Sequence, residues 1–421
     1  VFLLALFHIM LPWGDGFMQA SAPVSSKKHK QQEGRVKRDD SLGISPNIPS
    51  AACRTALLQL LQSALWGCAP QEQAFQGLTR ADWQSIFLTA QAQTVMALAF
   101  QAFEFLPDEL LPDDALLTRW MVQAEQAEQH SRHMNEALAS LCEFFTTRGL
   151  QPVVLKGQSI ARLYRHPLAR ECGDIDLHFP IHEQATQALC VLRDAGVHPQ
   201  AKPDGSHLYS WQEVPVEHHP RLTDLASPFA RRRLSGMLSR FPSQSVALGM
   251  GTHAQIMVPE PTVSLFIQST HILKHAMGWG IGLRQMADLA VSLHSEHSRI
   301  DGRSYKRVCS QAHLLQWNGL LHGFLTQCLG LPLQRLPYAD RLFDSQPLQE
   351  RVWRDGNFGL LHTTRIASQS SWRSKCRTAV SMLRHARFGW TYAPAETLFT
   401  ALQLMAGQFS TGALHTDEHN E

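Results

Sequence analysis

The 421-residue sequence has no C-x-x-C pair, no apolar run long enough to span a bilayer, no G-x-S-x-G motif and no strong excess of either charge. Its eight cysteines (Cys53, Cys68, Cys142, Cys172, Cys190, Cys309, Cys328 and Cys376) are scattered. That scatter excludes a zinc motif and points to reduced, mostly buried thiols in a cytoplasmic protein. A net charge of +2 removes any global signature of nucleic-acid binding. His271 and His275 have metal-ligand spacing, but Ile272-Leu273-Lys274 between them lacks the glutamate of an H-E-x-x-H metalloprotease. A packing or substrate-facing role is expected for both. No internal repeat is present, which excludes a solenoid.

The chain is 44% hydrophobic and 18% charged, the balance of a soluble globular protein with room for two or three domains. Val1 to Pro12 is apolar and is followed by Ala20-Ser21-Ala22, yet it lacks the positively charged start of a secretory signal. Residues 1–50 are expected to be a disordered or mis-assigned leader, with export as the lesser alternative. Basic residues gather at Arg351, Arg354, Arg365, Arg373, Lys375, Arg377, Arg384 and Arg387, and are read as a solvated helical face ahead of an anion-binding surface.

Residues 51–149 carry helical apolar stripes, broken at Pro107 and Pro112 and closed by Gly149 in the left-handed position after the last helix. The period then changes. Pro152 to Leu155 reads as a buried strand, Gln158 to Tyr164 as a helix and Asp174 to Phe179 as a half-buried strand. Glu183 to Asp194 reads as an amphipathic helix, and Ser206 to Gln212 and Val214 to His219 as two strands. Pro215 implies an edge strand. The fold expected is α+β, a small mixed sheet with helices on one side. It occupies residues 150–228 between an N-terminal helical region (51–149) and a mostly helical C-terminal region (229–421). Helices are expected at Thr262–Met277, Leu283–His294 and His313–Leu329; residues 228–258 and 331–350 are poorly patterned.

Asp174 and Asp176 stand two residues apart on a strand, so both carboxylates face one side. Like charges that close repel, and Mg²⁺ resolves the conflict by taking carboxylates together with phosphate oxygens. Upstream, Lys156 and Gly157 lie between a strand and a helix, where backbone N–H groups, the Ser159 hydroxyl and the Lys156 charge suit a phosphate. Downstream, Glu217 adds a third carboxylate on a strand, as two-metal phosphoryl transfer requires. Arg170 is placed to contact phosphate or to pair with these carboxylates. Arg284 and Asp288 are spaced as a helical ion pair, with a nucleotide contact as the alternative for Arg284.

Taken in order, L-K-G-x-S (Leu155, Lys156, Gly157, Ser159), Leu163-Tyr164, R-x-x-x-D-I-D-L (Arg170, Asp174 to Leu177) and V-E-H-H-x-R-L (Val216 to His219, Arg221, Leu222) resemble the uncharacterised nucleotidyltransferase family of the polymerase-β-like superfamily. His271 to His275 and Gly282 to Leu289 also resemble that group, and the likeness runs over about residues 50–330. It implies a palm-like sheet with Asp174, Asp176 and Glu217 holding Mg²⁺, or Mn²⁺ in its place. Lys156, Gly157, Ser159, Arg170 and Arg284 would bind the nucleotide. The implied reaction moves a nucleoside monophosphate from an NTP, with ATP the first candidate, to a small-molecule, peptide or protein acceptor. A large nucleic acid is disfavoured by the modest charge. The alternative is an inactive relative that binds nucleotide or a partner.

Overall fold

The structure, a computed structural model, describes residues 48–356 and 387–413 apart from positions 203, 279 and 341, with backbone alone at 355 and 404–413. The leader up to residue 47 and Arg365, Arg373, Lys375, Arg377 and Arg384 lie outside the described residues.

Four helices come first: α1 (Ala51–Trp66), α2 (Arg80–Ala92), α3 (Met96–Phe100) and α4 (Asp114–Thr146). Their starts follow from local chemistry. Ser50 Oγ accepts the Cys53 N–H at 3.2 Å, Thr79 and Asp82 form a reciprocal capping box, and Asp113 Oδ1 accepts the Leu116 N–H at 3.0 Å. The last segment is one helix of 33 residues rather than several. Its first half buries Leu116, Trp120 and Ala124 in the helical core, and its second half lays Met134, Leu138, Leu141 and Phe145 on the sheet.

The sheet begins at β1 (Val153–Val154), followed by the short α5 (Gln158–Ala161), β2 (Ile175–His178), α6 (His182–Asp194), β3 (Gln200–Ala201), β4 (His207–Trp211) and β5 (Val214–His219). The strand runs expected from alternation appear within one or two residues of their expected bounds. Beyond them, α7 (Pro228–Leu238) leads to a hairpin, β6 (Gln244–Gly249) and β7 (Thr252–Val258), from the poorly patterned stretch. All seven strands form one mixed sheet in the order β3-β4-β5-β2-β1-β7-β6. The pairs β5–β2 and β1–β7 are parallel and the other pairs antiparallel. The architecture is α+β, an open mixed sheet flanked by helices.

One expectation about the strands is corrected. Pro215 does not mark an edge, because β5 lies between β4 and β2. Pairing with β2 starts only at Val216, so the N–H that proline lacks falls before that ladder begins.

One face of the sheet carries Val154, Ile175, Leu177, Tyr209, Val214 and Val216 and packs under α4 and α6, with Ala188 and Leu192 from α6. Alternation turns Asp176, His178, Glu217 and His219 to the other face. The chain continues with α8 (Pro261–Met277), α9 (Leu283–Ser295), α10 (Gly302–Gln311), α11 (Leu315–Leu329) and helices at Gln346–Asp355 and Pro394–Ala413. Arg351 is buried, not solvated: its Nη1 donates to the Ala276 carbonyl at 2.7 Å and its guanidinium covers the Phe388 ring. Among the described residues no helix is long and apolar enough to cross a membrane, and the seven described cysteines are free thiols, four of them buried.

Candidate metal and nucleotide site

The register of two strand pairs builds the site. Across the parallel β2–β5 pair, Asp176 stands opposite Glu217 and His178 opposite His219. Across the antiparallel β1–β2 pair, Val154 faces Leu177 and the Leu155 N–H donates to the Asp176 carbonyl at 3.0 Å. The chain leaving β1 therefore delivers Lys156 beside Asp176 and Gly157 opposite Asp174. Gly157 has φ 68° and ψ −112°, outside the range L side chains tolerate. A Cβ there would lie 3.6 Å from the Asp174 carbonyl and 4.0 Å from Arg170 Nη1.

Asp176 is 1% exposed. Lys156 forms a close ion pair with its Oδ2, and His219 Nε2 lies 2.6 Å from its Oδ1. Burial alone would raise this carboxyl's pKa, but Lys156 and His219 outweigh it and hold Asp176 well below the usual carboxylate range. Burial likewise pulls the Lys156 ammonium down, and Asp176 and Asp174 more than restore it. Asp174 behaves oppositely to its neighbour: the Asp176 charge, helped by burial, pushes its carboxyl up, against Lys156 and Arg284. Glu217 Oε1 lies 3.1 Å from Lys202 Nζ and 2.7 Å from the Ser206 hydroxyl. Asp176, Glu217 and His219 each bring one ligand atom to within 4.8 Å of the others. Such a group can hold a cation. Asp174 is not a member of that trio, although it senses the charge of both carboxylates.

A second polar group adjoins it. Asp224 accepts from His271 Nδ1 at 2.9 Å and from Lys274 Nζ at 2.8 Å. Both partners keep its carboxyl well below the usual range in spite of burial. Burial, aided by the charge of Lys156, lowers His271. The two histidines of the i, i+4 pair meet edge to face at 4.4 Å.

Two arginines divide sharply. Arg170 gives Nε to Asp288 Oδ1 at 3.0 Å and Nη2 to Oδ2 at 2.6 Å, while the Tyr164 hydroxyl donates to Oδ1 at 2.7 Å. Arg170 thus pairs with Asp288 rather than with the β2 carboxylates. The expected Arg284–Asp288 pair does not form, because both Asp288 oxygens are already engaged. Arg284 donates Nη1 to the Glu171 carbonyl at 2.9 Å and makes no ion pair among the described residues. Burial and Arg170 pull it below its ordinary value, with Asp174 among the charges acting the other way. Ser159 lies elsewhere: it lines a small cavity with Ser264, Ser292 and Glu296 that no site carboxylate borders.

Sequence reasoning missed His219, Lys202, Ser206 and Asp224. For His219 the signal was present, since alternation along β5 puts it on the face of Glu217.

No curated protein and no solved structure matches the chain. Residues 79–330 match the family model described as an uncharacterised nucleotidyltransferase. That match covers more than half of the chain and includes every strand and site residue described above, so the chain belongs to the uncharacterised nucleotidyltransferase family.

Proposed function

We propose that the site transfers a nucleoside monophosphate from an NTP to an acceptor, using a divalent cation, Mg²⁺ or Mn²⁺, held by Asp174, Asp176 and Glu217. The observation that carries this reading is the parallel register of Asp176 and Glu217, which forces two carboxylates together inside a nucleotidyltransferase family. The donor set suits such a cation. The two carboxylates stand together against the positive charges of Lys156 and Lys202, with the His219 ring on Asp176. When bound, the cation would polarise the α-phosphate and neutralise developing charge.

In this reading the protein groups divide the labour. Lys156 and Arg284 supply positive charge to the triphosphate. Gly157 lets the backbone approach it, and Arg170, locked on Asp288, positions the Gly157 turn. Glu217 takes the proton from the acceptor hydroxyl or amine. The acceptor atom bonds to the α-phosphorus, the bond to the bridging oxygen breaks, and pyrophosphate leaves with the electron pair. A small-molecule, peptide or protein acceptor suits the modest net charge better than a large nucleic acid.

The test uses ATP and the other NTPs labelled at the α-phosphate, Mg²⁺ or Mn²⁺, and a cell extract as the acceptor source. Wild-type protein is expected to label an acceptor and Asp176→Asn to lose the label by roughly 10²–10³-fold or more. Equal labelling by both proteins overturns the assignment.

A further inference from the structure

We infer that His219 is a direct ligand of the cation at this site, and that the site therefore selects Mn²⁺ over Mg²⁺. The inference rests on the proposed carboxylate site and adds to it a nitrogen donor and a metal preference.

The placement follows from the strands. Residues two apart on one strand share a face, so Glu217, opposite Asp176, and His219, opposite His178, turn to the same side as Asp176. His219 does not point away from the acids: its Nε2 lies 2.6 Å from Asp176 Oδ1. The three ligand atoms of Asp176, Glu217 and His219 are mutually within 4.8 Å. Octahedral coordination at about 2.1 Å sets neighbouring ligand atoms about 3 Å apart and opposite ones about 4.2 Å apart, so small side-chain rotations close the trio onto one ion. The backbone below is braced, because His178 Nδ1 donates to the His219 carbonyl at 2.9 Å. Asp174, the partner expected from the D-I-D pattern, is outside this trio.

The chemistry then separates two ions of the same charge. Mg²⁺ is a hard cation that prefers oxygen and holds its waters. Imidazole favours first-row transition metals, while carboxylates and phosphates suit Mn²⁺ as well as Mg²⁺. One imidazole added to the carboxylates suits Mn²⁺ better than a set of carboxylates alone would.

Untagged full-length protein, stripped of metal, is titrated with Mn²⁺ and followed by electron paramagnetic resonance, with and without a non-hydrolysable ATP analogue. Mg²⁺ is then added as competitor. The expected result is Mn²⁺ binding at least tenfold tighter than Mg²⁺, with nitrogen hyperfine coupling from a coordinated imidazole in the pulsed spectrum. His219→Asn should lose that coupling and His219→Asp should bring the two affinities together. Bound Mn²⁺ without nitrogen coupling, or coupling that persists in His219→Asn, overturns the inference and leaves a carboxylate metal site intact. No specific binding of either ion, with wild type and Asp176→Asn indistinguishable, sinks both the inference and the site on which it rests.

Discussion

Asp176 and Glu217 are register partners on adjacent parallel strands, and each carboxylate carries its own lysine, Lys156 on the first and Lys202 on the second. The two pairs differ in burial. The side chains of Lys156 and Asp176 are 16% and 2% exposed, whereas that of Lys202 is 36% exposed. Lys156→Ala should therefore cost about 3–5 kcal/mol, because it strands a buried charge. Lys202→Ala should cost at most about 1 kcal/mol, since water screens that pair. Urea denaturation measures both, and added Mn²⁺ should restore much of the loss in Lys156→Ala. Equal losses in the two variants would contradict the account.

The Arg170–Asp288 fork, with Tyr164 on the same carboxylate, predicts an asymmetric pattern of stability. Asp288→Leu or Arg170→Met should each lose about 3–5 kcal/mol, and Tyr164→Phe about 1 kcal/mol. The double variant Arg170→Met/Asp288→Leu should lose much less than the sum of its singles. Chemical denaturation of all four proteins gives the comparison; additive losses would show that the two residues are not coupled.

Arg284 should behave in the opposite way. It is a cation without an ion-pair partner among the described residues, and its Nε has no hydrogen bond. Arg284→Met should leave thermal stability unchanged or raise it, while weakening binding of a fluorescent ATP analogue about tenfold, a change of about 1.4 kcal/mol. A loss of stability with unchanged nucleotide affinity would make Arg284 structural.

Buried histidines contribute an acid response, His322 and His275 among them. Burial pushes His322 down to about 4 and His275 down to about 2. In the unfolded chain both take up a proton near pH 6.5, which the folded protein refuses until those lower values. The stability they contribute is therefore fully present above about pH 6.5. It falls with acidification by about 1.4 kcal/mol per pH unit for each group. Between pH 6 and 4.5 the slope of unfolding free energy should fall by about 1.4 kcal/mol per pH unit in His322→Gln. An unchanged slope would show that His322 is already protonated in the native protein.

The parts of the molecule legible in the sequence were those where apolar and polar residues alternate along a strand. Asp174 to Phe179 and Val214 to His219 alternate cleanly, so their strands and the shared face of their carboxylates could be read, although β2 is buried on both faces rather than half-buried, because Lys156 and His219 cover its polar side. The β6–β7 hairpin could not, because much of it is partly or fully exposed: in Gln244 to Ala247 and Thr252 to Gln255 no residue is fully buried, and the apolar face is reduced to Val246 and Ala254. Pro215 misled because a proline reports a missing donor, not where the neighbouring ladder begins. Asp288 misled because helical spacing favours the local partner Arg284, whereas the contact made, with Arg170, joins residues 118 positions apart. Charges acting over that distance leave no periodic trace. His219 was legible in principle, since it stands two residues from Glu217 on the same strand and therefore on the same face.

The long helix α4 has a consequence for dissecting this protein. At 1.5 Å per residue its 33 residues form a rod about 50 Å long, and it serves two cores at once, with Trp120 in one and Phe145 in the other. A fragment beginning at residue 150 would keep every candidate ligand yet strip Met134, Leu138, Leu141 and Phe145 from the underside of the sheet. The missing helix would leave a bare apolar floor directly beneath Ile175 and Val216, the neighbours of Asp176 and Glu217. The smallest unit able to present this site is thus longer than the segment that contains its ligands, and the helix before the sheet is its foundation.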